Sequence, residues 1–214
     1  MKPSRTDYIN FLLIIISFGV AYYLYDLMPD PVPTHWNIRG EADGFTAKPW
    51  GAYITSLMTA GIYLLFLVLP LISPKGFRME NFAKVWDIIK VIFVVMMLLI
   101  NIAASLSASG LPFSMEKMIP ILVGAMFILL GNYFGKVTKN YFVGIRTPWT
   151  LSNDEVWLHT HRLGGKLFVA GGFLLIIESL LVLPSVFPIV TILMVAGVPI
   201  VYSYVIYRRI VGRA

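Results

Sequence analysis

The sequence predicts an all-α integral membrane protein with six transmembrane helices. Three observations carry that expectation: too little charge for a water-facing surface, six apolar windows of bilayer length, and a one-sided distribution of basic residues. Of 214 residues, 58% are hydrophobic and 13% charged, and the mean hydropathy is +0.79. A soluble domain carries roughly 25% charged residues, so most of this chain is read as solvated by lipid. Cysteine is absent, which excludes a disulfide framework and thiol chemistry.

The first window, 8–27, reads YINFLLIIISFGVAYYLYDL. It is too long for the core of a signal peptide and no small-residue cleavage site follows it, so it is read as a span. The others fall at 52–72, 88–108, 119–135, 166–184 and 187–207, each near the roughly 20 residues that cross a hydrocarbon core. The fourth is the shortest. Pro184 and Pro188 in LPSVFP suit a tight turn between the last two spans. Tyr8, Tyr22, Tyr23, Trp50, Trp86 and Tyr207, among others, lie near predicted span ends and read as interfacial aromatic belts.

Alternating the spans leaves only Arg39, Lys48 and Lys117 on one side, and the other 14 of the 17 basic residues on the opposite side. By the positive-inside rule both termini are expected in the cytoplasm. The net charge of +6 is then a topology signal with attraction to membrane lipid, and direct nucleic-acid binding is not expected. The chain divides at the second span into an amino-terminal two-span segment, 1–72, and a four-span segment, 73–214.

Two connections are long, and function concentrates in such loops. The outer one, 28–51, opens with PDPVP, whose prolines favour extended chain. It continues through His35, Trp36, Asn37, Gly40 and Asp43, with Gly40 and Asp43-Gly44 marking turns. It is read either as a small folded cap or as a covered turn at the headgroup level. The inner one occupies most of 131–166. Gly131 and Gly135 form a small-xxx-small pair for close helix approach. The stretch TKNYFVGIRTPW is read as extended, with a break at Gly144 and Thr147 held out of helix by Pro148. Ser152 and Glu155 have capping-box spacing, so a short interfacial helix is expected from there to Gly164-Gly165. Trp157 and His161 share one of its faces, Glu155 and His159 another. Gly164 and Gly171, like Gly165 and Gly172, stand a heptad apart and mark a tightly packed face.

Catalytic and metal chemistry find little support. His159 and His161 point to opposite sides of a helix and cannot share an ion, and no zinc or serine-hydrolase pattern occurs. Glu155 with His159 serves equally as a hydrolase pair or an exposed ion pair. No enzyme activity, metal or cofactor is expected. Glu178 is the sharpest intramembrane feature, since a charged group at a helix centre costs about 2.5–3.5 kcal/mol on insertion scales. It is read as a functional group, in a proton relay or ligand contact, or as a helix–helix tie to Asn101 or Ser105. The halves show no internal repeat, and no span joins a Gly/Pro break to clustered polar residues as carrier sites do.

The inner stretch resembles the SdpI-like family, the immunity proteins against the bacterial sporulation-delaying toxin peptide. The matching positions are Gly131-Asn132, Lys139-Asn140, Gly144-Ile145-Arg146-Thr147-Pro148-Trp149-Thr150, Trp157, Thr160-His161 and Gly164. The outer loop resembles a domain of unknown function often fused ahead of that family, through Pro33, His35-Trp36-Asn37, Gly40, Asp43-Gly44-Phe45 and Lys48. The resemblance implies a multi-pass protein of the bacterial cytoplasmic membrane, without a catalytic role, that gives resistance to a secreted antimicrobial peptide. It also implies a toxin peptide as partner outside and a transcriptional repressor held at the membrane inside. The alternative reading from the residues is a small transporter or channel-like protein using Glu178.

Overall fold

The computed structural model describes residues 4–74 and 79–212; Lys2, Lys75, Arg78 and Arg213, which contribute to the predicted orientation, lie outside them. Helix α1 (Arg5–Leu24) starts at a capping box in which the Ser4 hydroxyl accepts from the Asp7 amide and the Asp7 carboxylate accepts from the Ser4 amide. A hairpin of β1 (Val32–Trp36) and β2 (Ala42–Thr46) leads to α2 (Lys48–Val68), with Pro49 in its first turn. Then follow α3 (Ala83–Ala108), α4 (Met115–Phe134), a short α5 (Pro148–Ser152), α6 (Asp154–Leu180) and α7 (Val186–Ile210). Six of these helices, all but α5, are long and apolar enough to cross a membrane. The expected helical class and span number therefore hold. The outer loop, expected as a folded cap or a covered turn, is a β-hairpin: of PDPVP only Val32 and Pro33 enter β1, and a turn containing Gly40 at φ +74° returns the chain antiparallel to that strand.

Helices α1, α2 and α3 pack on one another, α6 packs against both α4 and α7, and α3 meets α4. Between α4 and α6 the backbones nearly touch. A Cβ on Gly131 would stand 2.7 Å from the Gly165 carbonyl, and one on Gly124 would stand 2.6 Å from the Gly172 carbonyl. The partner of Gly131 is thus Gly124, one heptad away, and not Gly135, whose nearest neighbour is the Arg162 stem at 3.7 Å. The other glycine pair of α6 faces elsewhere: Gly164 receives Ile145, and Gly171 receives Val195 of α7. Each glycine heptad on α6 therefore serves a different neighbour.

Two expectations about this region are corrected. Gly164-Gly165 does not interrupt a helix; α6 runs unbroken from Asp154 to Leu180. The expected interfacial helix is therefore the first turns of the fifth span itself, and the separate short helix is α5. The cap of α6 is Asn153, whose side chain accepts from the Glu155 and Val156 amides, and not Ser152. The capping box lies earlier, between Thr147 and Thr150 at the start of α5. Trp86 also departs from its expected place in the aromatic belt: it is buried, edge-on to Phe66 with ring centres 5.0 Å apart.

The first three helices enclose polar side chains along their shared axis. Ser17 and Ser56 hydroxyls are 2.8 Å apart, and Asn101 donates to the Ser17 carbonyl at 2.9 Å. At the end away from the hairpin, Lys90 is buried between Asp7 (2.5 Å) and Asp87 (3.0 Å), and the Tyr63 hydroxyl donates to Asp7 at 2.7 Å. Lys90 is one of the 14 basic residues of the predicted cytoplasmic side, but its ammonium lies inside the bundle.

Candidate functional site

The inner loop is a compact knot rather than an extended strand, and Asn140 organises it. Its buried side chain donates to the Thr138 and Val143 carbonyls at 2.8 and 3.1 Å. It accepts from the Phe142 and Val143 amides at 2.8 and 2.7 Å. One side chain thus satisfies four backbone groups that no helix or strand could serve. The chain then turns at Gly144, whose φ of +109° suits a residue without Cβ. A Cβ there would collide with the His161 ring.

That contact fixes the loop to α6. The His161 Nε2 accepts from the Ile145 amide at 2.9 Å, and its Nδ1 lies 2.9 Å from the Trp157 carbonyl. An Nε2 that accepts leaves the proton on Nδ1, so the imidazole is neutral and donates to Trp157. The His161 ring also stacks on Trp157, with centroids 3.9 Å apart, and Trp157 Nε1 donates to the Val137 carbonyl at 2.8 Å. Trp157 packs with Phe82, Trp86, Ile89 and Val137, which brings in α3. Thr147 reaches α7 through the Ser203 hydroxyl at 3.0 Å, and the Trp149 ring lies 5.0 Å from that of Tyr204. The segment 136–152 is thereby bound to three helices, α3, α6 and α7.

The predicted inner residues separate into three groups. Asn140, Thr147, Trp157, His161 and Gly164 are buried supports of the knot. Arg146 and Pro148 are exposed, with Trp149 half-buried beside them, and the Arg146 guanidinium donates to the Tyr141 carbonyl. Asn132 belongs to neither group: it is exposed and donates to Ile128 of its own helix at 2.6 Å, so it ties no helix ends together. Behind the loop wall 142–147 lies an apolar cavity of about 580 Å³, reached also by Phe66, Trp86 and Val195.

At the other end, the hairpin carries the predicted outer residues. His35 Nδ1 lies 2.5 Å from Asp43 Oδ1, across the two strands. Asn37 Oδ1 accepts from the Arg39 and Glu41 amides at 2.9 and 3.1 Å, shaping the turn that Gly40 completes. Hydrogen bonds from Asn37 and Arg39 hold the Glu41 carboxyl below the usual carboxylate range. Trp36 lies over the tops of α2 and α3, near Asn101 and Ser105. The turn rests on α4, since a Cβ on Gly40 would stand 2.8 Å from the Glu116 amide.

Glu178 is neither mid-span nor tied to α3. It lies in the last turn of α6, and its Oε1 accepts from Thr191 of α7 at 2.7 Å. Asn101 is occupied with Ser17. Glu155 and His159 form an exposed pair at 3.7 Å, and among the described residues no group of three His, Cys, Asp or Glu could hold a metal.

The sequence reading misses Asp7 and Tyr63 altogether and takes Lys90 only as an orientation charge. The usable signal was Asp87 and Lys90 three apart at the start of one span and Asp7 at the start of another.

Residues 136–203 match the SdpI/YfhL protein family, and residues 12–60 match a domain of unknown function, DUF1648. The chain is 24% identical over 210 residues to the immunity protein SdpI of Bacillus subtilis (strain 168). That alignment covers 97% of this chain and 99% of the relative. No solved structure matches.

Proposed function

We propose that this multi-pass membrane protein, whose residues 136–203 belong to the SdpI/YfhL protein family, is an immunity protein of the bacterial cytoplasmic membrane that protects against a secreted antimicrobial peptide. The supporting observation is the end-to-end alignment with an immunity protein, 97% of one chain on 99% of the other. The excess of basic residues at the motif-loop end supports a cytoplasmic position for that end. The hairpin then faces the side from which a peptide arrives.

In this reading the knot around Asn140 and His161 is a rigid platform. It presents Arg146 and Trp149 to the cytoplasm, where a transcriptional repressor is the proposed partner. Recruitment on toxin binding requires that the peptide bind two helix arrangements with different affinity. Such a change would pass through α6, which carries His161 near one end and Glu178 near the other. The position of Glu178, in the last turn of its helix, favours a ligand contact at the hairpin end over a carrier site at the bilayer centre.

Survival tests the proposal. A bacterium sensitive to the sporulation-delaying peptide, expressing this chain, should grow in its presence. The Arg146→Ala/Trp149→Ala variant, inserted at equal level, should retain protection if the platform serves only repressor recruitment and lose it if the platform transmits immunity. Absence of protection by the unaltered chain would overturn the assignment.

A further inference from the structure

At the hairpin end, Glu116, Lys117, Glu178 and Ser179 line a cavity of about 70 Å³, bordered by Ile38 of the hairpin turn and Pro188 of α7. Glu178 retains only 7% exposure. Its Oε1 is engaged by Thr191, while its Oε2 has no partner in the protein. The Ser179 hydroxyl is not free to help, since it donates to the Lys117 carbonyl at 2.7 Å. A buried acceptor left without a donor costs about 1–3 kcal/mol, and more when charged. Glu178 thus brings to the cavity lining a side chain with one carboxylate oxygen that the chain itself does not satisfy.

Its size and charge define what fills it. A single water needs roughly 10–15 Å³ of such cavity space, so the space suits a group of a few heavy atoms. Two carboxylates against one ammonium leave the lining net acidic, which favours a cation. The orphaned Oε2 requires a donor, which excludes a quaternary ammonium. We propose that this cavity binds a single primary ammonium group, as found at the tip of a lysine side chain or at a peptide amino terminus. Lys117, which also lines the cavity, is its internal competitor. The site stands on this geometry; it rests on the immunity reading only for the expectation that the ammonium belongs to a peptide.

The test uses the full chain in phosphatidylcholine nanodiscs at neutral pH and fixed ionic strength. Its melting temperature is followed against n-butylamine, which mimics a lysine tip, glycinamide, which mimics an amino terminus, and tetramethylammonium, which carries charge but no N–H. A saturable rise with either primary amine, absent with tetramethylammonium, is expected, and which amine acts identifies the source. Glu178→Gln keeps the shape of the side chain and should weaken the response on the order of tenfold or more, as loss of a charged hydrogen-bond acceptor implies. Lys117→Met should strengthen it. No saturable rise with either amine, an equal rise with tetramethylammonium, or an unchanged response in Glu178→Gln would overturn the site. Amine binding without survival would count against the immunity reading alone, and survival without amine binding against the site alone.

Discussion

At the residue scale, His161 shows how much one side chain can connect. It stacks on Trp157, accepts from the Ile145 amide and closes against Gly144. His161→Phe preserves the stack and leaves the Ile145 N–H without an acceptor, which should destabilise the protein by about 1–3 kcal/mol. Unfolding of the micelle-bound protein by denaturant would show it, and an unchanged midpoint would remove the hydrogen bond from the account. The shared face of Trp157 and His161 was legible in the sequence because helical periodicity places residues four apart together. The four bonds of Asn140 were not. They join a side chain to irregular backbone within three residues, and such bonding leaves no periodic trace. Asn132 and Asn140 look alike as motif letters, yet one caps nothing and the other holds the loop.

At the element scale, the α4–α6 seam depends on missing Cβ atoms. Gly131→Ala would place a methyl 2.7 Å from backbone, where nothing can rotate aside, and overpacking of this kind costs about 1–3 kcal/mol. Gly135→Ala meets only the Arg162 stem at 3.7 Å and should be neutral or slightly stabilising. The pair of variants, compared by thermal unfolding, distinguishes a seam of heptad spacing from the four-residue spacing read in the sequence; equal effects would contradict the seam. The same glycines explain the misplaced helix end. Gly164-Gly165 resembles a break when intrinsic propensity alone is considered, but here both residues lie within α6 and admit neighbours at close range. Ser152 and Asn153 are both capable caps, and only the position of α5 decides between them.

At the scale of the whole molecule, hydropathy alone revealed six spans, because the demand to satisfy backbone groups in lipid leaves few alternatives to long helices. It could not reveal that Lys90 turns inward, since a count of charges takes no account of direction. Lys90→Met would leave Asp7 buried without its cation, and breaking a buried pair by removing one partner costs roughly 3–5 kcal/mol. In a double-mutant cycle with Asp7→Asn, the combined loss should fall well short of the sum; strict additivity would mean the two groups do not interact.

The Asp7–Lys90 contact also imposes an order on biosynthesis. Its partners are 83 residues apart, and a chain emerges from the ribosome amino terminus first. When α1 and α2 have been made, the cation that will neutralise Asp7 has not yet been translated. Until then the nascent amino-terminal turn carries a carboxyl group without its cation. Arrival of α3 supplies the ammonium, and that event closes the first three helices into one unit.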